Sequence, residues 1–106
     1  MIVPEARVEK ALHELSELIE PLATAVSRKE YLDDKKKIIK NRLIADMGKT
    51  LSMAAKESAA YAHPDYEEVC KEYRDACYDV EIMRGKKLLE EAVHRTWQTE
   101  SANARG

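Results

Sequence analysis

A basic block and an acidic block of opposite sign flank a short Ala/Ser/His-Pro hinge, and that mirror arrangement limits how the chain can fold. Residues 28–49 hold eight cations (Arg28, Lys29, Lys35, Lys36, Lys37, Lys40, Arg42, Lys49) against four carboxylates. Residues 65–81 hold seven carboxylates (Asp65, Glu67, Glu68, Glu72, Asp75, Asp79, Glu81) against Lys71 and Arg74. Turning the chain back near residues 50–63 lays one block beside the other. The expected fold is all-α: an elongated antiparallel helical hairpin or three-helix arrangement with coiled-coil-like packing. A second pairing is expected between Arg84, Lys86, Lys87, Arg95 and Arg105 near the C-terminus and Glu9, Glu14, Glu17 and Glu20 of the first helix.

Hydrophobic spacing agrees with helices throughout. Val8, Leu12, Leu15, Ile19, Leu22 and Val26 step by four and three, an a/d seam. Pro21 interrupts that pattern and predicts a kink or short break, giving a first helix over about 4–20 and a second over 23–48. Leu32, Ile39, Leu43 and Met47 form the second stripe, with Tyr31, Ile38 and Ile44 beside it, and Gly48 is placed to end it. Ser52 can cap a short helix or connector over 52–62. His63-Pro64 closes it, because a residue before proline is pushed out of the helical region. A long helix over 64–100 follows, with Tyr66, Val69/Cys70, Tyr73, Ala76/Cys77, Val80 and Met83 on its seam. A phase adjustment near Gly85 then brings in Leu88, Ala92 and Thr96. Residues 101–106 read as a frayed tail.

Composition narrows the class of protein. At 106 residues, 36% of them charged and with no Phe, the chain is one domain with a thin core. Small helical chains of this type complete their burial by self-association, so a homo-oligomer is expected. The net charge of −2 gives no global attraction to DNA or to acidic lipid. No apolar run reaches the ~20 residues of a membrane span. The start, Met1-Ile2-Val3-Pro4-Glu5, lacks the features of a signal peptide, so a cytoplasmic location is expected. Cys70 and Cys77 are about 10.5 Å apart along a helix axis. That spacing excludes a bridge within the helix, and the pair reads as small buried hydrophobes.

Motifs that carry chemistry are scarce. Gly48-Lys49-Thr50 lacks the earlier glycine and the strand of a phosphate-binding loop. Glu91 and His94 have the Glu-x-x-His spacing of di-metal helical bundles, but such sites need two of these motifs. Only a dimer could double it, which leaves a metal-dependent helical enzyme as the weakest reading. His13 and His63 stand alone. No nucleophile has a recognisable base and no cofactor loop exists, so no catalytic, cofactor or metal residue is assigned.

Three groups remain as interaction candidates. Lys36 and Lys40, with Arg28 and Lys29, can line one stripe suited to the phosphates of single-stranded DNA. The acidic helix alongside would weaken that stripe, so a face paired within the chain is the plainer reading. Glu67 and Glu68 offer an acidic surface. Arg95, Thr96 and Trp97 combine a forked donor with a stacking ring. Their plainer reading is Trp97 packed between helices and Arg95 paired with a first-helix glutamate.

Several segments also carry a resemblance. They are Glu30-Tyr31-Leu32, Lys35-Lys36-Lys37, Ser52 with Ala54, Lys56 and Glu57, His63-Pro64-Asp65-Tyr66, and His94-Arg95-Thr96-Trp97 with Glu100, Ser101 and Ala102. Over about residues 23–105 the chain resembles small all-helical proteins of tailed phages and prophages, encoded near early recombination and replication genes. The resemblance implies a non-enzymatic accessory factor in phage DNA recombination or replication, inside a bacterial host. The alternative is an inhibitor of a host defence or nuclease complex that presents an acidic, DNA-like surface. The resemblance makes Arg95, Thr96 and Trp97 the leading contact residues.

Overall fold

The computed structural model describes residues 2–105. The described residues form three helices: α1 (Glu5–Asp46), α2 (Met53–Ala62) and α3 (Pro64–Arg105). There is no strand among the described residues, and none of their helices is long and apolar enough to cross a membrane. The helices are shared between two compact units. One joins Met1–Thr24 to Val80–Gly106, and the other is Ala25–Asp79.

Helix ends follow local chemistry. The Pro4 carbonyl accepts the first bonds of α1, from the N–H groups of Arg7 (3.0 Å) and Val8 (3.2 Å). Ser52 has extended backbone and its hydroxyl accepts the Ala55 N–H at 3.2 Å, the geometry of an N-cap. His63 is extended as well, and Pro64 supplies the first residue of α3, where a missing N–H costs nothing. The His63 carbonyl accepts from Tyr66 and Glu67, both at 3.1 Å, while its Nδ1 accepts the Asp65 N–H at 3.0 Å. The imidazole therefore does the work usually given to Ser or Asp. His63→Ala should destabilise the chain by about 1 kcal/mol, and His63→Asn should restore most of it. Urea unfolding followed by circular dichroism measures both.

Four features differ from the sequence expectation. The first and second helices are one: α1 runs from Glu5 to Asp46 with Pro21 inside it. Proline removes the N–H that would bond the Glu17 carbonyl, but both residues lie on the exposed side, where water satisfies that carbonyl. At its other end, α1 closes with a tight turn from the Met47 N–H to the Ile44 carbonyl (3.2 Å). Gly48 does not adopt the left-handed conformation of a glycine cap. The segment 101–105, expected to fray, continues α3 as helix.

The fourth difference concerns the seam. In the Met1–Thr24/Val80–Gly106 unit, α1 turns Val8, Ala11, Leu15, Leu18 and Leu22 inward, while Leu12 and Ile19 stay exposed. Stepping by three then four shares Val8, Leu15 and Leu22 with the expected seam but replaces two large residues by Ala11 and Leu18. Helix α3 keeps its heptad phase straight through Gly85. Val80, Met83, Glu90, His94 and Trp97 are buried or half-buried, and Leu88, Ala92 and Thr96 face solvent. Burying Leu88 would require a skipped residue, and an unbroken helix supplies none.

In each unit a segment of α1 lies antiparallel to a segment of α3, and the second unit also holds α2. In the first, the Val3 N–H donates to the Glu100 carboxylate at 2.6 Å and Arg7 meets Glu90, so rising numbers on one segment meet falling numbers on the other. In the second, Leu32 packs with Val69 and Ala76, bordered by Ile39, Tyr66 and Tyr73. Ala60, fully buried, brings α2 in close. Val and Ala dominate the buried set, and Leu32 is its largest aliphatic side chain.

Candidate interaction surfaces

Three lysines of the basic block, Lys35, Lys36 and Lys40, are committed to neighbours within the Ala25–Asp79 unit. Lys35 pairs with Glu72 across the helices at 3.8 Å. Lys36 sits 3.8 Å from the centre of the Tyr73 ring and 3.2 Å from Asp33. Lys40 lies 4.9 Å from the Tyr61 ring centre, and its hydrogen bond to Tyr61 raises the ammonium pKa above the ordinary lysine range. A cation held over an aromatic face is stabilised by the ring quadrupole. Tyr61 in turn meets Tyr66 edge to face, with centroids 5.3 Å apart. Lys36 and Lys40 thus clamp α1 onto α2 and α3 through tyrosines. Opposite charge at the hairpin is present, but aromatic rings are the main acceptors.

Tyr66 and Tyr73 each lie four residues before a half-buried free cysteine. Burial first, and then Cys70, pushes the Tyr66 hydroxyl up. The hydrogen bond with Cys77 is the main cause of the same shift at Tyr73. Both cysteines therefore occupy seam-edge packing positions.

Glu67 and Glu68 point to solvent near the start of α3 and form no ion pair among the described residues. Their charge is favoured at the positive end of a helix. With Asp65, whose carboxylate lies 3.8 Å from the His63 ring, they make this helix start the open acidic face of its unit.

Arg95, Thr96 and Trp97 do not form one site. Consecutive helical residues point about 100° apart, so Arg95 and Thr96 are exposed while Trp97 turns half inward. The Trp97 ring stacks on His94, with centroids 6.1 Å apart and planes at 25°. It also lines a groove with Val3, Pro4, Glu100 and Ser101. Arg95 has no carboxylate partner among the described residues, so the expected pair with a first-helix glutamate is absent.

The expected pairing of a basic C-terminal patch with an acidic first helix is also reversed. Arg84 pairs with Glu81 (3.1 Å) and Lys87 with Glu91 (3.7 Å), both within α3. The ion pair between the two segments of this unit comes from the minority charges: Arg7 of the acidic segment 5–24 and Glu90 of the basic segment 84–105. It is bidentate, with Nη1–Oε2 at 2.7 Å and Nη2–Oε1 at 3.0 Å. Glu90 is only 9% exposed, on a seam position that hydrophobic spacing would give to a leucine. The Arg7 hydrogen bonds hold its carboxyl below the usual glutamate range and raise the guanidinium in return. The signal for it in the sequence was the heptad phase itself, which carries position 83 to 90 without adjustment.

Glu91 and His94, of the metal-type spacing, serve Lys87 and Trp97 respectively. Among the described residues, no three His, Cys, Asp or Glu groups converge as metal ligands would. Beside Ile19 lies an open apolar groove lined by Leu15, Leu18, Leu22, Ala23 and Lys87. No protein-family model matches this chain, and no curated protein or solved structure does either.

Proposed function

We propose that this is a self-associating, non-enzymatic helical interaction protein, an accessory to phage DNA recombination or replication working in the cytoplasm of a bacterial host. The phage setting rests on the resemblance of residues 23–105. The mode of action rests on one contrast in side-chain placement: Lys36 and Lys40 are spent on tyrosine rings and Asp33, whereas Glu67 and Glu68 are open to solvent. A single-stranded DNA site would need the lysines free. A protein partner with a basic surface fits the carboxylates instead.

The same contrast favours a second reading, inhibition of a host nuclease or defence complex by an acidic, DNA-like face. Affinity capture from the infected host, comparing the natural chain with the Glu67→Lys/Glu68→Lys variant, tests the common element. The partner should be lost from the variant, and its identity separates a phage DNA-processing protein from a host nuclease. Retention of the same partner by the variant overturns the acidic contact. Titration with a fluorescent single-stranded oligonucleotide at low salt should show no binding. Salt-sensitive binding abolished by Lys36→Glu/Lys40→Glu would return the site to the lysines.

A further inference from the structure

In the unit formed by Met1–Thr24 and Val80–Gly106, contacts within the chain consume the wrong charges for charge balance. Residues 5–24 carry five carboxylates and two cations, and residues 84–105 carry five cations and three carboxylates. Yet the polar contacts between these helical segments draw on Arg7 from the acidic side and on Glu90 and Glu100 from the basic side. On the outer faces, Glu9 of α1 and Arg95 of α3 are left without a charged partner among the described residues, whereas Arg84 and Lys87 are already paired with Glu81 and Glu91 of their own helix.

Both outer faces also carry large apolar side chains. Glu9, Leu12 and Ile19 share one face of α1 at spacings of three and seven, and Ile19 is 68% exposed. Leu88 and Arg95 share one face of α3 at a spacing of seven, and Leu88 is 64% exposed. Read in opposite chain directions, the two faces match in order: Glu9 meets Arg95, and Leu12 with Ile19 meets Leu88. Like faces do not match, because α1 against α1 opposes carboxylates and α3 against α3 opposes cations.

We propose that this unit pairs with a second copy of the chain, the outer face of α1 lying antiparallel on the outer face of α3 of that copy. One chain supplies both complementary faces, so a two-fold axis makes the contact twice and closes the assembly as a four-helix bundle. Leu12, Ile19 and Leu88 leave water in both copies. The pairing also remedies a thin core, since Val8, Ala11 and Val80 are the only buried apolar residues among the described residues of this unit. It rests on the interaction-protein reading and gives its self-association a specific surface.

Sedimentation equilibrium on the full chain tests it. The natural chain should reach twice the 12.1 kDa of one copy at micromolar concentration. Ile19→Lys and Leu88→Lys should each weaken the dimer by about tenfold or more. Their circular dichroism should be unchanged, because both side chains are exposed in the single chain. Arg95→Glu should weaken it too, and Glu9→Lys added to Arg95→Glu should restore it. A monomeric natural chain, a dimer indifferent to both lysine substitutions, or a charge swap that restores nothing each overturns the proposal. None of these results alters partner capture through Glu67 and Glu68, so a failure here is distinct from a failure of the functional reading.

Discussion

Glu90→Ala should lower the thermal midpoint by about 10 °C, the largest effect of any single charged residue in this chain. The carboxylate occupies a buried seam position and accepts two hydrogen bonds from Arg7. Removing it leaves the half-buried Arg7 guanidinium without its two hydrogen bonds, and the unpaired charge, more than the lost attraction, sets the cost. The double variant Arg7→Leu/Glu90→Leu should therefore recover most of the loss, and a simple sum of two destabilising changes would contradict this account. The pair also fixes a pH dependence. The folded-state pKa of Glu90 is depressed by Arg7, so the pair's contribution is fully present above the unfolded glutamate value. It fades as the pH falls below about 4 and through the lower folded value. Glu90→Gln should flatten the acid limb of the melting profile, whereas an unchanged limb would assign acid sensitivity to other carboxylates.

The same position shows what the sequence made legible. The hinge, its capping residues and the helical character on either side follow from Ser52, His63-Pro64 and the charge blocks, each a local signal with a local cause. The seam was harder to read because α1 offers two apolar partners at adjacent positions, Ala11 and Leu12. Hydrophobicity prefers the larger one, while close approach of two helices prefers the smaller, and only the partner helix decides. In α3 the conflict is sharper. Leu88 and Leu89 are more apolar than Glu90, yet an unbroken heptad carries Glu90 inward and Arg7 makes it tolerable. Pro21 misled for a related reason: the lost hydrogen bond matters only where water cannot replace it, and exposure is not written in the local sequence. The interaction candidates divided along the same line. Glu67 and Glu68 face outward near the positive end of α3. Lys36, Lys40 and Trp97 turned toward aromatic neighbours brought close by tertiary structure alone.

Leu32→Ala is expected to cost about 3 kcal/mol, measured as a shift of the urea midpoint at constant slope. Among the described residues of the Ala25–Asp79 unit Leu32 is the largest buried aliphatic side chain, packed on Val69 and Ala76 with Ile39, Tyr66 and Tyr73 around it. Both facing residues are small, so little can collapse into the space a truncated side chain leaves, and the cavity adds to the lost transfer energy. The effect should extend to the lysine clamp. Lys36 bonds over the ring of Tyr73, and Tyr73 borders the cluster that Leu32 anchors. Ile38→Ala, six residues away but half exposed, provides the contrast and should change stability by less than about 1 kcal/mol. If the two substitutions cost the same, the core is not where the heptad places it, and α1 meets α3 through a different face. A large Leu32 effect beside a small Ile38 effect fixes the register of the α1–α3 pair within this unit, because the face of α1 that holds Leu32 also carries Lys36 and Ile39.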